Sequence, residues 1–256
     1  MAHTKLIAIT GASGLIGKTF IEMLASDIEI VHKISSSKIK IHEIADQVKW
    51  AAASGAKYFL HLGWPASSSD NNYRISPKNF DALEKTLLIK NMCEEFDIFF
   101  IGIGSPVDRF IYTDNTYSLT KYVAKQVFLK DILEGKITWL RPFYIFDQIS
   151  WPKFMYDVDK EIVEIEDNSP RDYIHIKDVT CGIESVIRWD IRGEVDLGSQ
   201  IFKTPSELCT ALGKSFSFNL DMSQKGKTEL YTAATNEKLS KVWNARHTEN
   251  VFKGVK

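Results

Sequence analysis

The sequence predicts a doubly wound α/β fold, a parallel sheet with helices on both faces, and three observations carry that prediction. Strand candidates, most of them short apolar runs with little polar alternation, recur at Lys5–Thr10, Ile28–Ile34, Ile39–Glu43, Tyr58–Leu62, Ile98–Ile103 and Ile137–Leu140. Such runs suit strands buried on both faces. Between them lie helical spacings: Ile16, Phe20, Met23 and Leu24 share one face, Leu83, Leu87 and Met92 a second, and Ala124, Val127 and Phe128 a third. A glycine-rich turn closes the first strand and opens the first helix. Strands and helices in this order imply successive βαβ units.

Beyond Phe146 the alternation breaks. Trp151–Pro170 is aromatic-rich and acidic, a strand and helix return over Asp172–Trp189, and a further strand is expected at Val195–Leu197. Pro205–Leu212 and Asn236–Trp243 have helical patterns separated by a polar stretch. Residues 1–146 and 172–198 are therefore read as the main domain. Residues 147–171 and 199–256 are read as a small C-terminal lobe over the sheet's edge.

Composition sets limits. With 256 residues, 44% of them hydrophobic, the chain can bury a sizeable core. A net charge of −1 gives no basic surface of the kind that binds nucleic acid. Cys93, Cys181 and Cys209 stand far apart, with no metal-ligand spacing, and read as reduced thiols. No run approaches the ~20 apolar residues of a membrane helix, and Lys5–Thr10 reads as a strand where a leader would stand. A cytoplasmic protein that binds neither membrane nor metal is expected.

The glycine turn is Thr10-Gly11-Ala12-Ser13-Gly14-Leu15-Ile16-Gly17. Gly11 suits the tight turn, Gly14 lets backbone approach a pyrophosphate, and Gly17 lets helix and strand pack closely. The N–H groups around Ser13, Leu15 and Ile16 then face the phosphates from a helix N-terminus. The fold expected is thus Rossmann-type. A fold of this kind specific for NAD places a carboxylate about 20 residues further on. Here the second strand ends Val31-His32-Lys33-Ile34-Ser35-Ser36-Ser37-Lys38, with hydroxyls and two lysines instead. Lys33, Ser35, Ser36, Ser37 and Lys38 therefore favour the 2′-phosphate of NADP(H), with NAD(H) the alternative; an ordinary solvated turn would leave the choice open.

Tyr117-Ser118-Leu119-Thr120-Lys121 puts a tyrosine and a lysine on one helical face. Ser105 lies upstream, just after the strand Ile98–Ile103. A free phenol titrates near ~10, and lowering it to ~7 takes roughly 4 kcal/mol. Reducing a ketone needs only the protonated phenol and so makes the lighter demand.

The GxxGxxG spacing and the YxxxK pair resemble the short-chain dehydrogenase/reductase superfamily. Leu140-Arg141-Pro142-Phe143-Tyr144-Ile145-Phe146 resembles the LRPxNVYG segment of its extended members. Pro170-Arg171-Asp172-Tyr173-Ile174-His175-Ile176-Lys177-Asp178-Val179 is similar to their RDFIHVDDV stretch, the mark of nucleotide-sugar epimerases, dehydratases and reductases. Val195–Ser199 and Asn236–Trp243 fit the pattern loosely.

The resemblance implies that Tyr117 exchanges a proton with the substrate, that Lys121 binds the nicotinamide ribose and that Ser105 holds the substrate carbonyl. It implies Pro142 and Phe143 at the nicotinamide, Arg171 and Tyr144 at the substrate, the lobe as the sugar-binding part, and a homodimer built on the Tyr117 and Leu83–Met92 helices. Arg171 suits a diphosphate chemically, although a structural ion pair would use it as well. His175 and Asp178 read as architectural. Asn79 matches an asparagine of the family, or sits on a helix surface.

Three departures stand out. The segment from Phe146 to Arg171 is short, Gly104-Ser105 replaces a pair of hydroxyl residues, and His61-Leu62-Gly63-Trp64 replaces HLAA. The last places Leu62, Gly63 and Trp64 beside the cofactor, unless Trp64 is a packing aromatic. The function implied is NADPH-dependent reduction of a 4-keto group on a nucleotide-linked 6-deoxysugar. Alternatives are a 4-epimerase that retains NAD and a non-catalytic dinucleotide sensor, which commonly lacks the tyrosine or the lysine. A dehydratase needs an acidic pair after its threonine, whereas Gly104-Ser105-Pro106-Val107 offers no carboxylate until Asp108.

Overall fold

A computed structural model describes residues 4–35, 38–65, 72–111, 115–147, 162–165, 168–218 and 237–253. The chain runs β1 (Lys5–Thr10), α1 (Leu15–Glu22), β2 (Ile28–Ile34), α2 (Ile44–Ala53), β3 (Tyr58–His61), α3 (Lys78–Glu95), β4 (Phe99–Ile103), α4 (Thr116–Leu133) and β5 (Thr138–Pro142). It continues with β6 (Tyr144–Phe146), β7 (Ile162–Ile165), β8 (Arg171–His175), α5 (Ile176–Arg188), β9 (Gly193–Leu197), β10 (Phe202–Lys203), α6 (Pro205–Ala211), β11 (Ser215–Phe218) and α7 (Arg246–Phe252).

Six strands form one parallel sheet in the order β2-β1-β3-β4-β5-β9. Successive strands step outward from β1 to β2 and then in the other direction from β3 onward. The order therefore reverses between β1 and β3, which is where a doubly wound sheet opens a crevice at its carboxyl ends. This is the Rossmann-type architecture expected from the sequence.

Alternate residues of each strand feed two cores. Ile7, Ile9, Leu60, Ile101 and Leu140 face one side, where they pack with Phe20 of α1 and Val179 and Ile183 of α5. Ala8, Phe59, Phe100 and Trp139 face the other, against Val48 of α2, Ile89 of α3, and Ala124 and Phe128 of α4. Because both faces are covered, the strands read as continuous apolar runs.

A second, three-stranded sheet has the order β10-β8-β6, and β7 pairs in parallel with β11. The strand expected near Asp172 thus leaves the main sheet, while the helix that follows it, α5, returns to cover that sheet beside α1. Phe146, Tyr173, Val163, Leu208 and Phe252 make the separate core of this region. Much of the segment Trp151–Pro170 and the polar stretch before Glu237 lie outside the described residues.

Three expectations are corrected. Ile39–Glu43 is not a strand: Ile41–Glu43 is a 3₁₀ turn, which the Glu43 carboxylate caps by accepting from Lys40 N–H at 2.9 Å. That turn opens α2, whose inward stripe is Ile44, Val48 and Ala51. Val127 is 58% exposed. The inward stripe of α4 follows Lys121, Ala124, Phe128 and Ile132, and Val127 stands to its side. The helix expected over Asn236–Trp243 is a run of turns from Glu237 to Val242, with Trp243 N–H bonded back to Leu239 O at 2.9 Å. The regular helix, α7, comes later, where the buried Asp178 carboxylate accepts the first-turn N–H groups of His247 and Thr248 at 3.0 and 2.7 Å.

Candidate active site

The turn after β1 is shaped by what its glycines exclude. Gly11 has φ of +71°, and a Cβ on it would lie 2.7 Å from Leu62 C and 2.8 Å from Gly63 N. A Cβ on Gly17 would meet Ala12 Cα at 2.8 Å. In both cases the obstacle is backbone, which cannot swing away. Gly14 is different, since its Cβ would meet only Gly11 O, at 3.3 Å.

Ser13, Gly14 and Leu15 are exposed, Ile16 is half-buried, and no side chain caps α1. The N–H groups of the first turn of α1 therefore face open space from the positive end of the helix. A pyrophosphate fits this cradle, with room at Gly14 and close backbone packing at Gly11 and Gly17.

The end of β3 is tied to that turn through His61. The His61 ring is buried between Thr10 Oγ1 at 2.7 Å on Nδ1 and Thr86 Oγ1 at 2.9 Å on Nε2. Burial, helped by the nearby Lys121 charge, pushes it down to about 3, so the ring is neutral at physiological pH. Thr10 Oγ1 also accepts Gly63 N–H at 3.1 Å, which holds Leu62-Gly63-Trp64 against Gly11.

On the other side of β1, β2 ends level with Thr10. Lys33, Ser35 and Lys38 are exposed there, and Ser35 O accepts the N–H groups of Lys38 and Ile39 at 3.1 and 3.0 Å. Ser36 and Ser37 lie outside the described residues.

Helix α4 begins at Asn115, whose side-chain oxygen accepts Ser118 N–H at 3.1 Å. This cap sets the first turn that carries Tyr117. The Tyr117 and Tyr73 rings meet edge to face with their centres 5.2 Å apart, and the Ser105 side chain lies near the phenol. Burial holds the phenol well above its ordinary value, with the Ser105 side chain opposing.

One helical turn on, Lys121 is buried and its Nζ donates to Ile103 O at 2.6 Å. The same ammonium lies 3.7 Å from the centre of the Trp64 ring. Desolvation pushes it down to about 7, with the charge of Asp108 acting the other way.

Trp64 is half-buried and held in turn: its indole N–H donates to Asn79 Oδ1 at 3.1 Å. Asn79 Nδ2 donates to Tyr73 O at 2.6 Å and to Thr116 Oγ1 at 3.0 Å. Asn79 is fully buried, so it joins Trp64 to the start of α4 and is not a surface residue. Gly11, Gly63, Trp64, Lys121, Tyr117 and Ser105 thus form one continuous set at the switch point of the sheet.

Arg171 and Tyr144 form a second group on the three-stranded sheet, the guanidinium 5.4 Å from the ring centre. Pro142 and Phe143 are buried at the end of β5, with the Arg109 guanidinium over the Phe143 ring. His175 Nδ1 accepts Lys177 N–H at 3.2 Å at the start of α5.

A polar cluster behind Ser105 was not anticipated. Asp108 is fully buried, and its Oδ2 accepts Ser105 N–H at 3.0 Å and Trp139 Nε1–H at 2.8 Å. Its Oδ1 accepts Arg141 Nε–H at 2.9 Å. Arg141, also fully buried, continues to Asp196 at 2.6 Å and Glu194 at 2.5 Å. The signal for Asp108 was present in the sequence, because Ser105-Pro106-Val107-Asp108 has the spacing of a capping box with proline at its first turn position.

No family model matches the chain, and no curated protein sequence matches it. By fold it is similar to the UDP-glucose 4-epimerase of the hyperthermophilic eubacterium Thermotoga maritima, solved with UDP-glucose. The match has 14% identity and a TM-score of 0.72, and covers 98% of this chain and 97% of that one. It is similar to the dTDP-4-dehydrorhamnose reductase of Bacillus anthracis in complex with NADP at 13% identity and a TM-score of 0.73, over 99% and 100% of the two chains. The Clostridium acetobutylicum dTDP-4-dehydrorhamnose reductase matches at 12% identity and a TM-score of 0.73, over 97% and 98%. At such identities the likeness shows a shared fold across the full length of each chain.

Proposed function

We propose that the chain is an NADP(H)-dependent oxidoreductase of the extended short-chain dehydrogenase/reductase type. In this reading it reduces a 4-keto group on a nucleotide-linked 6-deoxysugar. The observation that carries it is the convergence of Tyr117, Lys121 and Ser105 beside the Gly11–Gly17 turn. The motif resemblance and the fold likeness to nucleotide-sugar epimerases and reductases support the same class of substrate.

In this reading the first turn of α1 holds the pyrophosphate, and Lys33, Ser35 and Lys38, with Ser36 and Ser37, receive the 2′-phosphate. The bound nicotinamide supplies the hydride. Ser105 holds the substrate oxygen by hydrogen bond while Tyr117 gives that oxygen its proton, turning ketone into alcohol. The phenol is kept protonated by burial, which suits a proton donor. Lys121 binds the nicotinamide ribose and stabilises the phenolate left behind. Arg171, flanked by Tyr144, takes the substrate diphosphate in the small lobe. The half-buried indole of Trp64 borders the nicotinamide end, with Pro142 and Phe143 beyond it. A homodimer built on α3 and α4 belongs to the same proposal.

The test is a turnover assay with nucleotide-linked 4-keto-6-deoxysugars and NADPH or NADH. Turnover with NADPH preferred is expected, and equal use of NADH would remove the assignment of the β2 loop. A second reading, a 4-epimerase that keeps NAD bound, draws on the fold likeness to UDP-glucose 4-epimerases. Absorbance and fluorescence of the purified protein separate the two, because retained NAD(H) belongs to the epimerase.

A further inference from the structure

The buried carboxylate of Asp108 has no part in the chemistry described so far, yet it touches the turn that carries that chemistry. It accepts the Ser105 N–H directly, and the same oxygen is anchored to β5 through the Trp139 indole. Its other oxygen is held by Arg141. The loop after β4, which carries Ser105 near the Tyr117 phenol, is therefore pinned from behind to the next strand. Gly104 is explained by the same packing: a Cβ there would collide with Asp108 Oδ2 and Trp139 Nε1. A second hydroxyl residue at position 104 would exclude the carboxylate.

The charges around Asp108 come from several elements. Arg141 lies on β5, Lys125 on α4 at 3.9 Å, and Asp196 and Glu194 on β9 are reached through Arg141. Arg109, in the same turn as Asp108, pairs with Asp196. Lys121 faces the apolar surfaces of Trp64 and Trp139, the neutral His61 and the phenol of Tyr117. Asp108 is the carboxylate whose charge reaches it.

We propose that Asp108 is the positioning residue of this site: its buried carboxylate, held by Trp139 and Arg141, fixes the Ser105 turn. Held in that place, its charge also favours the protonated form of Lys121. The inference rests on the reading of Ser105, Tyr117 and Lys121 as the proton-transfer group. Its test, however, needs neither substrate nor cofactor. Trp64 lies against the Lys121 ammonium, so the part of the tryptophan emission that Trp64→Phe removes reports the charge on Lys121. In the parent protein this signal is expected to titrate with a midpoint of about 7.

Asp108→Asn should lower the midpoint by about one pH unit or more. Asp196→Asn opens the same ion network at Arg141 without touching Ser105, and should keep the parent midpoint. An unmoved midpoint in Asp108→Asn, or an equal shift in Asp196→Asn, overturns the proposal. Amide hydrogen exchange at Ser105 in the parent covers the case in which Asp108→Asn does not fold. Protection like that of the β4 amides is expected, and exchange as fast as an open loop overturns it. Failure of the redox reading shows separately, as absent NADP(H) binding with these results intact.

Discussion

Replacing Lys121 by methionine should make the chain more stable at neutral pH while removing the proposed chemistry. Lys121 is 1% exposed, and burial moves its pKa from the ordinary 10.5 to about 7. A base depressed in this way penalises folding in full below pH 7, where unfolded and folded chains are both protonated. Between pH 7 and 10.5 the unfolded chain holds a proton that the folded one has lost, so stability rises with pH. Above 10.5 the penalty is gone. At about 1.4 kcal/mol per unit the full penalty is about 5 kcal/mol, most of it still present at pH 7. Methionine fills a similar volume but leaves Ile103 O without its donor, which costs about 1–3 kcal/mol. The net gain for Lys121→Met is about 2–3 kcal/mol at pH 7 and turns into a loss above pH 10.5. Urea denaturation of parent and variant at pH 7 and pH 10 measures this directly. A variant less stable than the parent at pH 7, or a difference that does not change with pH, would refute the reasoning.

The two glycine substitutions should separate packing from binding. Gly17→Ala meets the backbone of Ala12 and should lose about 1–3 kcal/mol from overpacking, more than the ~1 kcal/mol gained in helix propensity, as read by denaturant melts. Gly14→Ala has more room and should change stability by less than about 1 kcal/mol, yet weaken NADPH binding at least tenfold in a fluorescence titration; unaltered affinity would displace the pyrophosphate from α1. Tyr117→Phe should lower turnover by about 100- to 10,000-fold with NADPH affinity unchanged, and full activity would remove Tyr117 as proton donor. His61, pushed down to about 3, leaves the unfolded chain binding a proton that the folded one refuses between pH 6.5 and 3. Stability should therefore fall by about 2 kcal/mol between pH 6.5 and pH 5, a loss that His61→Gln should abolish; an identical acid slope in that variant would exclude the ring as its source.

What the sequence made legible follows the physics of each signal. The parallel strands were readable because both faces are covered, so Leu6–Ile9 and Tyr58–Leu60 are continuous apolar runs. The glycine turn was readable because backbone collisions at Gly11 and Gly17 leave only one residue type. The alternating isoleucines of Ile39–Glu43 imitated a strand, whereas a local cap between Lys40 and Glu43 decided for a helix start. Asn236–Trp243 had helical spacing, yet the stable helix formed where Asp178 could cap it. The ion network behind Ser105 joins residues distant in sequence, Asp108 to Arg141 and Asp196, and no local pattern announces such a pairing. Arg141 was visible only as part of a cofactor-side motif, although its guanidinium is spent inside the fold.

In the proposed reaction the direction follows from how two neighbouring protons are held. Burial raises the Tyr117 phenol and lowers the Lys121 ammonium, so at neutral pH the phenol keeps its proton while Lys121 sits near its midpoint. Reduction starts from that resting state. Once the phenol has given its proton to the substrate oxygen, Lys121 is the much stronger acid beside it and can restore it. Oxidation would require the phenolate first, at roughly 4 kcal/mol for an unperturbed phenol at pH 7 and more for a buried one. Asp108 bears on the same balance from behind. Its charge favours the protonated form of Lys121, and its bond to Ser105 N–H fixes the turn that carries the Ser105 hydroxyl. The seclusion that makes Lys121 expensive to fold around is thus the same seclusion that sets the phenol to donate.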